Sequence, residues 1–231
     1  MKTTIQSPIN YIKTVGLLTL LSGILAFACN ILIGLAVNFN FDALADPTLI
    51  FKGLHNPQIQ FFRWSMITDI WGYYLLFVPA VFYLYEKMET PWRHVFVASG
   101  IAYSFMGAIG AAILAATGTH FLQEYLNVEP ALQTEAKSNF LLVFHVVNNG
   151  IWNLLEMGLF GIFMFGTAPV LRPKDKLLYY LTILLGISGI LDAAGNTFEM
   201  PILAETWLNF YLLLTPIWAI WLGLLWMRSR G

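Results

Sequence analysis

The chain has 231 residues, of which 58% are hydrophobic and 11% charged, with a formal net charge of −1. Soluble domains carry about 25% charged residues, so this sequence is too poor in charge to face water on all sides, and lipid is the solvent it fits. The balanced charge and the lack of a basic stripe with interleaved aromatics exclude nucleic acid as a partner, and the single cysteine, Cys29, excludes an intramolecular disulfide.

Lys2 and Lys13 precede the first apolar run, and Ala26, Phe27 and Ala28 before Cys29 imitate a cleavage site. The run continues to Val37, however, which makes it long enough to span and favours an uncleaved first helix. Six such runs follow one another, at residues 14–37, 61–85, 95–120, 139–166, 177–199 and 206–227. Each meets the roughly 20 residues needed to cross a 30 Å hydrocarbon core. Helices are the expected form, because a lipid-facing backbone must satisfy its own hydrogen bonds, and the alternation of barrel strands is absent. The expected fold is therefore an all-α membrane protein, one bundle of about six transmembrane helices over residues 1–231, without a separate soluble domain.

Lys and Arg set the orientation. Lys2, Lys13, Lys87, Arg93, Arg172, Lys174, Lys176, Arg228 and Arg230 fall on one side, against Lys52, Arg63 and Lys137 on the other. This bias places both termini in the cytoplasm and the acidic loops, with Asp42, Asp46, Glu124, Glu129 and Glu135, outside. Trp64, Trp92, Trp207 and Trp226 lie at span ends, where interfacial anchors are expected. Spans one, three and five each contain Gly-Ile, and spans two, four and six each contain Ile-Trp, a pattern that a triplicated hairpin would produce.

Carboxylates inside a span are costly and call for partners or water. Asp69, Glu156 and Asp192 are the three such residues, and they are the candidate catalytic acids or bases. At 100° per residue, His145, Asn149, Trp152 and Glu156 occupy an arc of about 60° on span four. Asn148 and Asn153 flank it. Ser188, Asp192, Asn196 and Glu199 share about 80° of span five, and Ser65, Asp69 and Tyr73 share a face of span two. Asn30, Asn209 and Tyr211 add polar groups from spans one and six. The expected ligand-binding set is Asp69, Tyr73, His145, Asn149, Trp152, Glu156, Asp192 and Asn196, lining one pocket in the outer half of the bundle. The opposing expectation is that these groups only join helices, at about 0.6 kcal/mol per pair.

His120 and His145 raise haem or a divalent metal, but no diagnostic spacing accompanies them, so no cofactor and no metal is expected. Span three repeats small residues, Gly100, Ser104, Ala108, Ala112 and Ala116, as a closely packed helix does. No span contains a lysine for a retinal Schiff base, and there is no Walker motif, arginine-rich voltage sensor or potassium filter.

Three functions fit. The first is a multi-pass cell-membrane protein that binds a small or amphipathic molecule in the polar pocket and moves it. The second is a membrane enzyme acting on a lipid or isoprenoid-like substrate by carboxyl acid/base chemistry. The third is an accessory subunit with no ligand. The inner halves of the spans hold no matching polar cluster, which weighs against a through-path. Partners are the bilayer and the ligand; ligand identity and oligomeric state are not fixed by the sequence.

Overall fold

The structure, a computed structural model, describes residues 9–229; Lys2 and Arg230 of the basic count lie outside the described residues. It is 89% helical, and no strand occurs among the described residues. Six helices are long and apolar enough to cross a membrane: Asn10–Ala36, Asn56–Lys87, Arg93–Asn127, Pro130–Leu171, Lys176–Thr197 and Pro201–Arg228. By length and composition these are the helices of a multi-pass membrane protein.

Span one is α1 (Ile9–Ala36). A short helix α2 (Asp42–Ala45) and a 3-10 turn (Pro47–Phe51) connect it to span two. Span two joins α3 (Asn56–Asp69), a π segment (Ile70–Tyr74), a 3-10 turn (Leu75–Phe77) and α4 (Val78–Lys87). Span three joins α5 (Arg93–Ile113), a π segment (Leu114–Gly118) and α6 (Thr119–Asn127). Span four joins α7 (Pro130–His145), a π segment (Val146–Glu156) and α8 (Met157–Leu171). Spans five and six are α9 (Lys176–Thr197) and α10 (Pro201–Arg228).

The largest departure from the sequence expectation is the start of span four, which lies nine residues earlier than the apolar run. Pro130 opens the helix at a position where its missing N–H is no loss, and Ala136 is buried while the residues around it are polar. Hydropathy finds where a helix turns apolar, not where it begins.

Each span packs on the next, and span six closes back on span one, so the packing order is a ring. Small residues bring the backbones together. A Cβ on Gly223 would meet the Leu20 nitrogen at 2.6 Å and the Gly16 carbonyl at 2.7 Å, and one on Gly189 would meet the Met157 carbonyl at 2.6 Å. Gly16 opposite Gly223, and Gly23 opposite Pro216, show that α1 and α10 run antiparallel and that the start of α1 and the end of α10 lie at the same end of the bundle. We call this the terminal end and its opposite the distal end.

Two apolar cores stack along the bundle. The first is an aromatic column on the axis of the ring. Phe77 packs edge-on to Trp218 at 5.5 Å and to Phe163 at 5.8 Å, and Phe160 packs against Tyr103 at 5.0 Å and Tyr211 at 4.9 Å. The second lies at the distal end, where Ile50, Phe51, Phe62, Leu122, Phe140 and Phe144 bury one another. Spans three and four are drawn out to 35 and 42 residues to reach it, about 50 to 60 Å at 1.5 Å per residue.

Trp64 and Trp92 are exposed, but Trp226 is 2% exposed and packed on Tyr83 at 4.9 Å, so it is a core residue rather than an anchor. The three Ile-Trp pairs sit in unlike surroundings: Trp71 is exposed, Trp152 is partly buried and Trp218 is buried.

Gly223→Val should therefore destabilise the protein by about 1–3 kcal/mol, the usual penalty of overpacking, read as a lower melting temperature in detergent. Gly150→Ala, where a Cβ meets nothing within 4 Å, should cause no loss.

Candidate functional site

Backbone irregularity locates the site. Pro216 lies inside α10 and has no N–H to give the carbonyl of Leu212 four residues earlier. That carbonyl is taken by two other spans: Asn30 donates from Nδ2 at 2.9 Å and Tyr73 donates from its hydroxyl at 3.0 Å. Asn30 Nδ2 also lies 3.1 Å from the Tyr73 hydroxyl, which ties spans one, two and six together. In the π segment of span two, Ser22 of span one donates to the Gly72 carbonyl, and Tyr103 of span three donates to the Tyr73 carbonyl at 3.2 Å. A further donor, the Trp152 indole of span four, reaches the Gly107 carbonyl of span three at 3.2 Å. A non-helical backbone at this depth is tolerated where neighbouring side chains re-satisfy it.

Glu156 closes the network. It is 2% exposed, and its carboxylate accepts from the Tyr74 hydroxyl at 3.0 and 3.1 Å and from the Tyr211 hydroxyl at 3.4 Å. The Tyr103 and Tyr211 hydroxyls lie 3.0 Å apart. Gly107 leaves the space that the Tyr74 ring fills. Two tyrosines, from spans two and six, therefore hold one carboxyl of span four, and a third, Tyr103 of span three, backs Tyr211. Asp69 is 6% exposed and is within electrostatic reach of the Cys29 thiol of span one and of Glu156. Asp192 is fully buried and also within electrostatic reach of Glu156. Its Oδ1 accepts from Asn196 at 2.8 Å and its Oδ2 has no partner. The level of these groups can be counted from the terminal end. Asp69 is 18 residues from Lys87, Glu156 15 from Leu171 and Asp192 16 from Lys176, or about 22 to 27 Å in each case.

The structure thus brings Asp69, Tyr73 and Glu156 to one centre, sets Asp192 and Asn196 at its edge, and places Trp152 beside it on Gly107. His145 and Asn149 are exposed; Asn149 accepts from Asn148 at 3.0 Å. Their expected arc assumed α-helical geometry. From Val146 to Glu156 the hydrogen bonds run i to i+5 and the turn is wider, so over the 7 and 11 residues that separate Asn149 and His145 from Glu156 the angular slip accumulates until they no longer share its face. Sequence reasoning missed Tyr74 and Tyr103. The signal was present in the small-residue row of span three, where Gly107 admits an aromatic ring from another helix.

The space inside is small. A cavity of about 10 Å³, bordered by Ser22, Gly72, Tyr73, Tyr103 and Thr215, has room for one water. Thr215 Oγ1, which lines it, has no protein partner. Among the described residues no group of three or more His, Cys, Asp or Glu could hold a metal ion, and His120 is exposed beside Phe121.

Compared with known proteins, the chain matches no family model, no curated protein and no solved structure.

The Leu212 carbonyl gives a direct test of this wiring. Asn30→Ala should cost about 0.6–2 kcal/mol. In a Pro216→Ala background, where a backbone N–H is restored to that carbonyl, the same change should cost measurably less. A double-mutant cycle of unfolding in detergent reads the coupling; strict additivity would contradict the assignment.

Proposed function

We propose that the protein is a six-span membrane protein with both termini in the cytoplasm, and that the centre around Glu156 binds a small or amphipathic molecule. The observation that carries the reading is Glu156 itself, a buried carboxyl met by tyrosine hydroxyls from other spans and, among the described residues, by no basic side chain. A charge at a span centre costs about 2.5–3.5 kcal/mol on insertion scales, and helix packing alone is served by neutral hydroxyls and amides. Asp69 and Asp192 at the same level repeat that cost. The centre offers acceptors in excess, so the ligand that suits it is a donor, an amine or a polyol with an apolar body to lie along the aromatic column. Entry requires the spans to part, and the π segments of spans two, three and four provide the irregular backbone at which they would do so. The acid/base enzyme reading uses the same carboxyls, with Glu156 or Asp69 exchanging a proton with a bound hydroxyl.

The accessory-subunit reading keeps one observation in its favour: the cavity beside the centre, bordered by Tyr73 and Tyr103, holds only about 10 Å³ of free space. The two readings part on Glu156→Gln. The amide keeps size and hydrogen bonding, so folding should be retained; as a ligand site, the variant should lose a copurifying molecule seen by mass spectrometry of the wild type. Retention of every bound species with a changed melting temperature alone would favour the packing role.

Orientation follows from the basic residues gathered at the terminal end, where Lys87 and Lys174 of different turns come within electrostatic reach. Cysteines placed at residues 42, 129 and 201 should label with an impermeant reagent in intact cells, and cysteines at 87 and 174 should not. The reverse pattern would invert the protein.

A further inference from the structure

Outside the ring, toward the terminal end, α10 and α1 leave an open groove of about 480 Å³, within the size range of small-molecule sites. Phe27, Ile217 and Leu224 form its apolar walls, Trp221 its side near Asp175, and Arg228 its end. From Ile217 to Arg228 is eleven residues, about 16 Å along the helix, which matches half of a 30 Å hydrocarbon core.

The polar groups at its mouth are not equivalent. Asp175 is engaged by three donors: Oδ1 accepts from the backbone N–H groups of Leu177 and Leu178, and Oδ2 accepts from the Trp221 indole at 3.0 Å. These bonds fix the indole as a wall and take three of the carboxylate's roughly four acceptor sites. Arg228 is exposed and makes no ion pair among the described residues. Arg228 is the basic side chain among the groove's lining residues.

We propose that this groove is a binding site for an anionic phospholipid of the leaflet at the terminal end, with one acyl chain lying from Phe27 to Leu224 and the phosphate on Arg228. Length, apolar lining and one uncompensated guanidinium at the headgroup level are what such a lipid requires, and a guanidinium receives phosphate oxygens in pairs. A partner helix is the competing occupant; it would fill the walls but leave Arg228 unanswered.

The test uses the full chain in vesicles of phosphatidylcholine with a few per cent of a lipid carrying bromine on its acyl chain, which quenches nearby tryptophan. The signal of Trp221 is the difference between wild type and Trp221→Phe. Brominated phosphatidylglycerol should quench it at about one-fifth of the mole fraction needed with brominated phosphatidylcholine, the weight of one basic side chain at an anionic surface. Arg228→Gln should remove that preference. Because Trp221→Phe also deletes the bond to Asp175, native mass spectrometry supplies a second reading: a retained phosphatidylglycerol adduct in wild type, lost in Arg228→Gln. Equal quenching by the two lipids, or an adduct and preference that survive Arg228→Gln, would overturn the proposal.

Discussion

A helix in lipid has nowhere to send an unpaired carbonyl except to another helix, and this protein depends on that constraint. Pro216 frees the Leu212 carbonyl, and the π segment of span two leaves the Gly72 and Tyr73 carbonyls to be met by Ser22 and Tyr103. Each repair crosses from one span to another. The irregular backbone is therefore what joins spans one, two, three and six at one level, and the side chains so recruited are the ones that face the interior. Had every span been a regular helix, Asn30 and Tyr73 would have no reason to turn inward together.

The same repairs explain why the acids sit where they do. The hydroxyls of Tyr74, Tyr103 and Tyr211 are already held in the interior by backbone and ring contacts, with Tyr74 and Tyr103 5.5 Å apart in edge contact. Tyr74 and Tyr211 are the donors that Glu156 uses, while Tyr103 donates to the Tyr73 carbonyl and steadies Tyr211. Asp192 is the least supported member, with one oxygen bonded within its own helix and the other orphaned. An orphaned buried polar atom costs about 1–3 kcal/mol, which marks Asp192 as the place where a bound donor would return most stability.

Much of this was legible in the sequence, for reasons that can be named. The six spans follow from uninterrupted apolar length, and Asp69, Glu156 and Asp192 stood out because no basic residue lies within a helical turn of any of them. Span two kept its reading because Ser65, Asp69 and Tyr73 precede the distortion or fall within its first turn, and all three are buried. Span four did not, because π geometry has no simple composition and turned His145 and Asn149 outward. Tyr74 escaped because its place is set by a glycine on another helix, and Tyr103 because the carbonyl it answers lies on another span. Pro216 announced a free carbonyl at Leu212, but no pattern along one chain says which span will answer it.

The bond from Asn30 to the Leu212 carbonyl joins residues 182 apart, the first span to the last. A chain made from its N-terminus at 5–20 residues per second therefore holds span one for about 10 to 40 s before its amide meets its native partner. Through that interval the amide has the Tyr73 hydroxyl of span two as its native companion but not the carbonyl of span six, and the ring stays open along one side. Assembly of this protein is thus gated by its final helix. Its window of vulnerability to membrane quality control is written in the distance between an asparagine and a carbonyl.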